Sequence, residues 1–201
     1  MSQSDRDKWD KRYQDGAYSA RKHPSALLVA WLPRLIVEGK QGRAIDVACG
    51  LGRNAIYLAQ HGWDVVAVDV SEVALEGLRE TATSEKLAIT CIQRDLEQSS
   101  HIFDGPSLKG PFDLAVMVRY TNLPLISELK NALRPGGYLL IEEHLTTDAD
   151  VVGPRDPRFR VPPGALRRAA AGLEIIHYRE GEVEDPDRRP AALAQLVARK
   201  R

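Results

Sequence analysis

The residues best placed to do chemistry lie in one run, Ala44-Ile45-Asp46-Val47-Ala48-Cys49-Gly50-Leu51-Gly52-Arg53-Asn54-Ala55. A β-branched stretch enters Gly50-Leu51-Gly52, Ala55 takes the third small position, and a helical pattern follows. This is the strand, turn and helix context that a G-x-G-x-x-G/A nucleotide-binding loop requires. Glycines there allow the tight turn and let a ligand lie against the main chain. Asp69 ends the next β-rich run nineteen positions after Gly50, close to the ~20 expected of a carboxylate that accepts hydrogen bonds from ribose hydroxyls. The implied ligand carries a ribose.

Asp46 narrows the choice. A carboxylate four residues before Gly50 suits a cationic ligand such as S-adenosylmethionine better than the pyrophosphate of a dinucleotide. Its sulfonium methyl is already activated, so the protein has mainly to hold a nucleophile in line and exclude water. Open α/β sheets bind ligands at the C-terminal ends of their strands. The polar groups there are Arg119 and Tyr120 after the fourth strand and Glu142, Glu143 and His144 after the fifth. His144 is a candidate general base, because an ordinary imidazole titrates near working pH. Arg155, Arg158 and Arg160, in a proline-rich loop, are candidates to clamp an anionic acceptor. Trp9, Tyr13 and Tyr18 are candidates for an aromatic cover over the sulfonium, although docking of a terminal helix explains the same residues.

These groups need a parallel sheet to position them. Strands are expected at 44–48, 64–68, 88–92, 112–118 and 138–142, alternating with helices at 53–61, after Ser71, and at 124–133. Leu27, Leu28, Trp31, Leu32 and Leu35 recur at helical spacing behind Pro24. Residues 153–164 read as a loop. The apolar runs 172–179 and 192–198 read as an antiparallel pair joined by a long acidic connection over 180–190. The fold class is α/β, a Rossmann-like doubly wound sheet with helices on both faces. A dinucleotide domain would instead continue with further parallel units.

The chain has 201 residues, 28 basic and 28 acidic, giving a formal net charge of zero. One domain is expected, with residues 1–40 as a helical cap, 43–144 as a cofactor-binding core, 145–171 as a substrate loop and helix, and 172–201 as the strand pair. Neutral charge argues against an electrostatic footprint for nucleic acid or anionic lipid. No apolar run reaches the ~20 residues of a membrane span. The charged N-terminus resembles neither a secretory nor a transit signal, and two cysteines, Cys49 and Cys91, suit a reducing cytoplasm. The five histidines, at 23, 61, 101, 144 and 177, show no metal-ligand spacing.

Asp46-x-x-Cys49-Gly50-x-Gly52-Arg53-Asn54-Ala55, with Tyr57-Leu58-Ala59, Gly62, Asp69 and Ser71, resembles the class I S-adenosylmethionine-dependent methyltransferases. The tellurite-resistance-like and thiopurine-methyltransferase-like small-molecule branches are the most similar. Phe112-Asp113-Leu114 and Leu133-Arg134-Pro135-Gly136-Gly137 resemble that family's fourth strand and its turn into the fifth. The resemblance implies seven strands with the last antiparallel. It places Gly50, Gly52 and Asp46 at the methionine and ribose portion of the cofactor, Asp69 at the ribose hydroxyls, Asp95 at the adenine amino group and Arg119 at the methionine end. Ala48, Asn54, Val70 and Leu96 complete the implied set. Val118-Arg119-Tyr120-Thr121 lacks the Asn/Asp-Pro-Pro-Tyr/Phe motif of amino-methylating enzymes, which disfavours DNA or protein amines as acceptors. The expected activity is methyl transfer to a small molecule. An NAD-dependent oxidoreductase or epimerase and a non-catalytic S-adenosylmethionine-binding module stand as alternatives, and monomer and homodimer are both open.

Overall fold

A computed structural model describes residues 3–35, 42–97, 103, 105 and 108–201. His101 and residues 36–40 of the expected cap lie outside the described residues. Helices α1 (Gln3–Gln14) and α2 (Ala26–Leu35) precede an alternating β1 (Arg43–Val47), α3 (Arg53–Gln60), β2 (Asp64–Asp69), α4 (Glu72–Glu85) and β3 (Ile89–Gln93). Then come β4 (Phe112–Val118), α5 (Leu125–Ala132), β5 (Leu133–His144), α6 (Ala165–Ala169), β6 (Glu174–Glu184) and β7 (Pro190–Arg199). The strands form one seven-stranded sheet in the order β3-β2-β1-β4-β5-β7-β6. β1 to β5 run parallel, and β7 lies antiparallel between β5 and β6.

The strand composition follows from burial on both faces. Along β2, Val66 and Val68 join the core beneath α5 and α6, whereas Val65 and Ala67 join the core that holds α2, α3 and α4. A strand covered on both sides reads as a continuous apolar run. Residues Leu27, Leu28, Leu32 and Leu35 form the buried stripe of α2. Ser71 caps α4 by accepting the Ala74 N–H at 3.2 Å, which satisfies one of the donors a helix start leaves open.

Two expectations about the second half of the sheet need correction. β5 was expected over 138–142 but runs from Leu133 to His144. Residues Arg134 to Gly137 form an irregularity opposite a single β4 residue, where the register shifts between Phe112 and Leu114. Gly137 has no room for a side chain there, since a Cβ would sit 3.0 Å from the carbonyl oxygens of Arg134 and Phe112. At the other end, pairing with β7 through His144 and Leu193 extends the strand, so Glu143 and His144 are ladder residues and not loop residues. The 180–190 connection is likewise shorter than expected, because β6 continues to Glu184 and β7 begins at Pro190.

Gly52 and Gly77 separate two uses of glycine. Gly52 has φ +79°, and a Cβ there would run into the Leu78 side chain of α4. Gly77, inside α4, meets nothing within 4 Å. Gly52→Ala should therefore lower stability by about 1–3 kcal/mol, whereas Gly77→Ala should raise it by about 0.5–1 kcal/mol. Urea unfolding midpoints of the two variants check both signs.

Candidate cofactor and acceptor site

The site lies at the C-terminal ends of β1, β2, β4 and β5. After β1, Ala48 (φ 53°), Gly50 (φ 55°) and Gly52 (φ 79°) adopt left-handed backbone conformations and bring the chain into α3. Asp69 secures this loop. Its Oδ2 accepts the Gly50 N–H at 2.7 Å and its Oδ1 accepts the Ser71 N–H at 2.9 Å. Burial pushes its pKa up, while the Ser71, Gly50 and Val70 N–H groups favour the charged form. Each oxygen keeps further acceptor capacity.

Asp46 is buried on β1 at 1% exposure. It takes a hydrogen bond from the Ala55 backbone, and burial raises its pKa to about 7 against the opposing Arg53 guanidinium. Its Oδ2 has no hydrogen-bond partner among the described residues. A buried carboxylate oxygen without a donor is costly and fits a cationic ligand group arriving beside the loop.

α1 lies over this region. Asp10 Oδ1 accepts from Ser71 Oγ at 2.5 Å, next to the start of α4. Trp9, Tyr13 and Tyr18 form one aromatic group with centroids 6.0 to 6.5 Å apart. The Tyr13 hydroxyl reaches the glycine loop, since a Cβ on Gly50 would come within 2.8 Å of it. Burial and the nearby Asp69 raise its pKa, so it remains a neutral phenol.

On the adenine side implied by the resemblance, Val70 accepts from Gln93 Nε2 at 3.1 Å and Asp95 Oδ1 caps a local turn through the Glu97 N–H at 2.9 Å. Asn122 Nδ2 donates to the Leu96 carbonyl at 3.0 Å and so ties this loop to the one after β4. Tyr120 lies between them. Burial raises its hydroxyl pKa, with Glu97, Asp95 and Asp69 acting in the same direction.

The ends of β4 and β5 hold a buried ionic group. Arg119 (φ 62°) donates from Nε to Glu142 at 3.0 Å and from Nη2 to Asp185 at 3.0 Å. Glu142 Oε2 also accepts from Ser25 Oγ and Gln195 Nε2. Glu143 accepts the Tyr120 N–H and the Thr121 hydroxyl, and burial lifts its pKa to about 8. His144 Nε2 faces Arg119 Nη1 at 3.3 Å. Because Arg only donates, Nε2 is the acceptor and the proton of the neutral ring resides on Nδ1. Burial together with Arg119, Arg160 and Arg21 lowers the His144 pKa to about 3. It is therefore a neutral imidazole at pH 7, a poor proton acceptor.

The other sequence candidates have separate tasks. Arg160 is used on the Pro154 and Leu145 carbonyls, Arg158 pairs with Asp156 in solvent, and Arg155 is exposed. Asn54 is buried with its Oδ1 accepting the Ser25 N–H at 2.9 Å, which fixes the start of α2. The arginines that do converge on the strand ends are Arg21, Arg53 and Arg119. No local pattern marks Arg21, Ser25, Asp185 or Gln195, which meet Asp185, Glu142, Arg119 and Glu142 respectively from 53 to 164 positions away.

Residues 44–137 match the family model described as a methyltransferase domain. Over this stretch the chain is similar to methyltransferase domains. It is 28% identical over 165 residues to a probable S-adenosyl-L-methionine-dependent methyltransferase, TehB, of Haemophilus influenzae, covering 79% of this chain and 57% of that protein. It thus spans little more than half of that relative. The crystal structure of TehB from Haemophilus influenzae superposes with a TM-score of 0.73 at 25% identity, covering 96% of this chain and 67% of that one. Ribosomal RNA small subunit methyltransferase C of Alcanivorax borkumensis is 35% identical over 115 residues, covering 50% of this chain and 32% of that protein. Among the described residues the chain has no helix long and apolar enough to cross a membrane and no group of three or more potential metal ligands.

Asp46 sets a pH dependence for the free protein. Its carboxyl titrates near 7 in the fold and near ~3.9 in the unfolded chain. Below both values it costs nothing, and between them charging increasingly penalises the folded state. Asp46→Asn should therefore stabilise the cofactor-free protein by about 2–4 kcal/mol at pH 8, the worth of two to three pKa units, and leave it little changed at pH 4. Urea midpoints at the two pH values test this, and a lower midpoint at pH 8 would mean that Asp46 already has a compensating partner.

Proposed function

We propose that this protein is an S-adenosylmethionine-dependent methyltransferase acting on a small-molecule acceptor by direct in-line displacement. The observation that carries the reading is the buried Asp46, whose unpartnered oxygen lies beside a glycine loop held by Asp69. A pyrophosphate would be repelled there, whereas a cationic ligand supplies the missing partner. The antiparallel β7 supports the same choice over an NAD-dependent enzyme.

When bound, the cofactor supplies a methyl group on a positively charged sulfur, activated for displacement. The chain's own residues bind and shield it. Ala48, Gly50 and Gly52 give access to the main chain, Asp46 balances positive charge, Asp69 receives the ribose hydroxyls, and Val70, Asp95 and Leu96 border the adenine. Trp9 and Tyr13 cover the loop and exclude water. Arg119 and Tyr120 border the acceptor side. No proton need move to His144, whose lowered pKa suits it to orienting Arg119, and an acceptor that ionises by itself requires no base. The balanced net charge supports a small soluble acceptor over nucleic acid, and the two free cysteines support a cytoplasmic setting. In the same reading residues 1–40 act as the cap, 43–144 as the cofactor core, 145–171 as the acceptor loop, and 172–201 as the closing strand pair.

Calorimetric titration with S-adenosylmethionine and its demethylated product should show binding, and NADH should give no fluorescence enhancement. Absence of binding at millimolar cofactor overturns the reading. Asp69→Ala should weaken binding about tenfold or more, the scale of hydrogen bonds to a charged group, in a chain that still unfolds cooperatively. Transfer of a labelled methyl to a panel of thiols, phenols, amines, metalloid oxyanions and RNA then assigns the acceptor. Binding with no transfer to any of them points to the non-catalytic module.

A further inference from the structure

Asp185 lies in the turn between β6 and β7, where a carboxylate is ordinarily in water, yet it is only 6% exposed. Its two oxygens hold two distant arginines. Oδ1 accepts from Arg119 Nη2 at 3.0 Å and Oδ2 accepts from Arg21 Nη2 at 3.0 Å. These residues are 66 and 164 positions away in the chain.

Each arginine leads to a different wall of the proposed cofactor site. Arg119 stands at the end of β4 with a left-handed φ of 62°, a conformation that costs a non-glycine residue about 1 kcal/mol or more and persists only when its surroundings enforce it. The enforcement is visible. Its N–H donates to the Glu142 carbonyl at 2.7 Å, and its guanidinium is held by Glu142 and Asp185. Arg21 belongs to the segment joining α1 to α2. That segment is tied again by Arg53 Nη1 to the His23 carbonyl at 2.9 Å and by the Ser25 N–H to Asn54. Arg53 and Asn54 open α3 directly behind Gly52. The tied segment carries α1, which lays Tyr13 on Gly50.

We propose that Asp185 is a positioning residue for the methyl-transfer site, fixing Arg119 at the end of β4 and, through Arg21, holding the N-terminal strap whose Tyr13 covers the glycine loop. The proposal rests on the cofactor reading above. Taking this carboxylate out of water is expensive unless both charges are met in good geometry, and the two 3.0 Å contacts meet them. Asp187 makes a useful contrast. Among the described residues its ion pair is with Arg21, at 3.1 Å, and its side chain is 33% exposed, so it steadies the strap without holding Arg119.

The test measures the 201-residue chain and its Asp185→Asn, Asp185→Glu, Arg21→Gln and Asp187→Asn variants with two readouts. The first is the Kd for S-adenosylhomocysteine. Asp185→Asn and Arg21→Gln should each raise it roughly three- to thirtyfold, the double variant should be no worse than the weaker-binding single, Asp185→Glu should recover most of the loss, and Asp187→Asn should change it least. The second is amide hydrogen exchange without cofactor. Asp185→Asn and Arg21→Gln should accelerate exchange within residues 3–22 and leave β1 and β2 protected. Unchanged affinity in Asp185→Asn, additive effects, or a uniform rise in exchange across the sheet overturns the proposal, since any of these describes an ion pair that only contributes stability. If Asp185→Asn does not fold, Arg21→Gln, which removes the more exposed partner, decides the matter by the same readouts. Should the wild-type protein itself not bind S-adenosylhomocysteine, the cofactor reading fails, and unchanged exchange in residues 3–22 separately overturns the strap.

Discussion

The contact on which the site depends most is Asp69 Oδ2 with the Gly50 N–H. It joins the end of β2 to the turn leaving β1, two neighbouring strands whose next segments depart in different directions. With the second oxygen on the Ser71 N–H, one carboxylate sets both the glycine loop and the start of α4. The other close fits follow from it. Gly52 must lack a side chain because Leu78 of α4 fills the space beneath, and Gly50 must lack one because the Tyr13 hydroxyl lies above. A parallel sheet whose strands end in carboxylates thereby becomes a cradle with backbone walls.

The polar groups of the site are partitioned by how their charge is met. Asp69 is supported by backbone N–H groups and Glu142 by Arg119, Ser25 and Gln195. Asp46 and Glu143, equally buried, have weaker support, and their pKa values rise to about 7 and 8. Asp46 and Glu143 differ in consequence. Glu143 uses both oxygens on the loop after β4, so its task is internal, whereas Asp46 has an oxygen to spare. A buried oxygen with no donor among the described residues marks Asp46 as the group that the proposed cofactor would complete.

What could be read in the sequence was local in origin. Gly50, Gly52, Ala55 and Asp46 fall within ten residues, and their spacing is set by one turn and one helix start. β4 has the expected bounds, because an apolar run covered on both faces ends where polar residues begin. Elements whose limits depend on a distant partner were misjudged. β5 extends to His144 because Leu193 pairs with it, and β6 and β7 shorten their connection by pairing with each other. The arginines behave the same way. Arg155, Arg158 and Arg160 are neighbours in sequence but have different partners, whereas Arg21, Arg53 and Arg119 are separate in sequence and converge. Spacing along a chain reports on turns and helix faces. It does not report on which strand ends the topology brings together.

The sheet order has a consequence for assembly. β6 precedes β7 in the chain but touches β5 only through it, since β7 occupies the place between them. During synthesis β6 therefore emerges with no edge to join, and the sheet ends at β5 until residues 190–199 arrive. Half of the hydrogen-bonding capacity of β5 waits on β7. Completion of the sheet is thus deferred until β7 is made, when one insertion supplies partners to two strands at once.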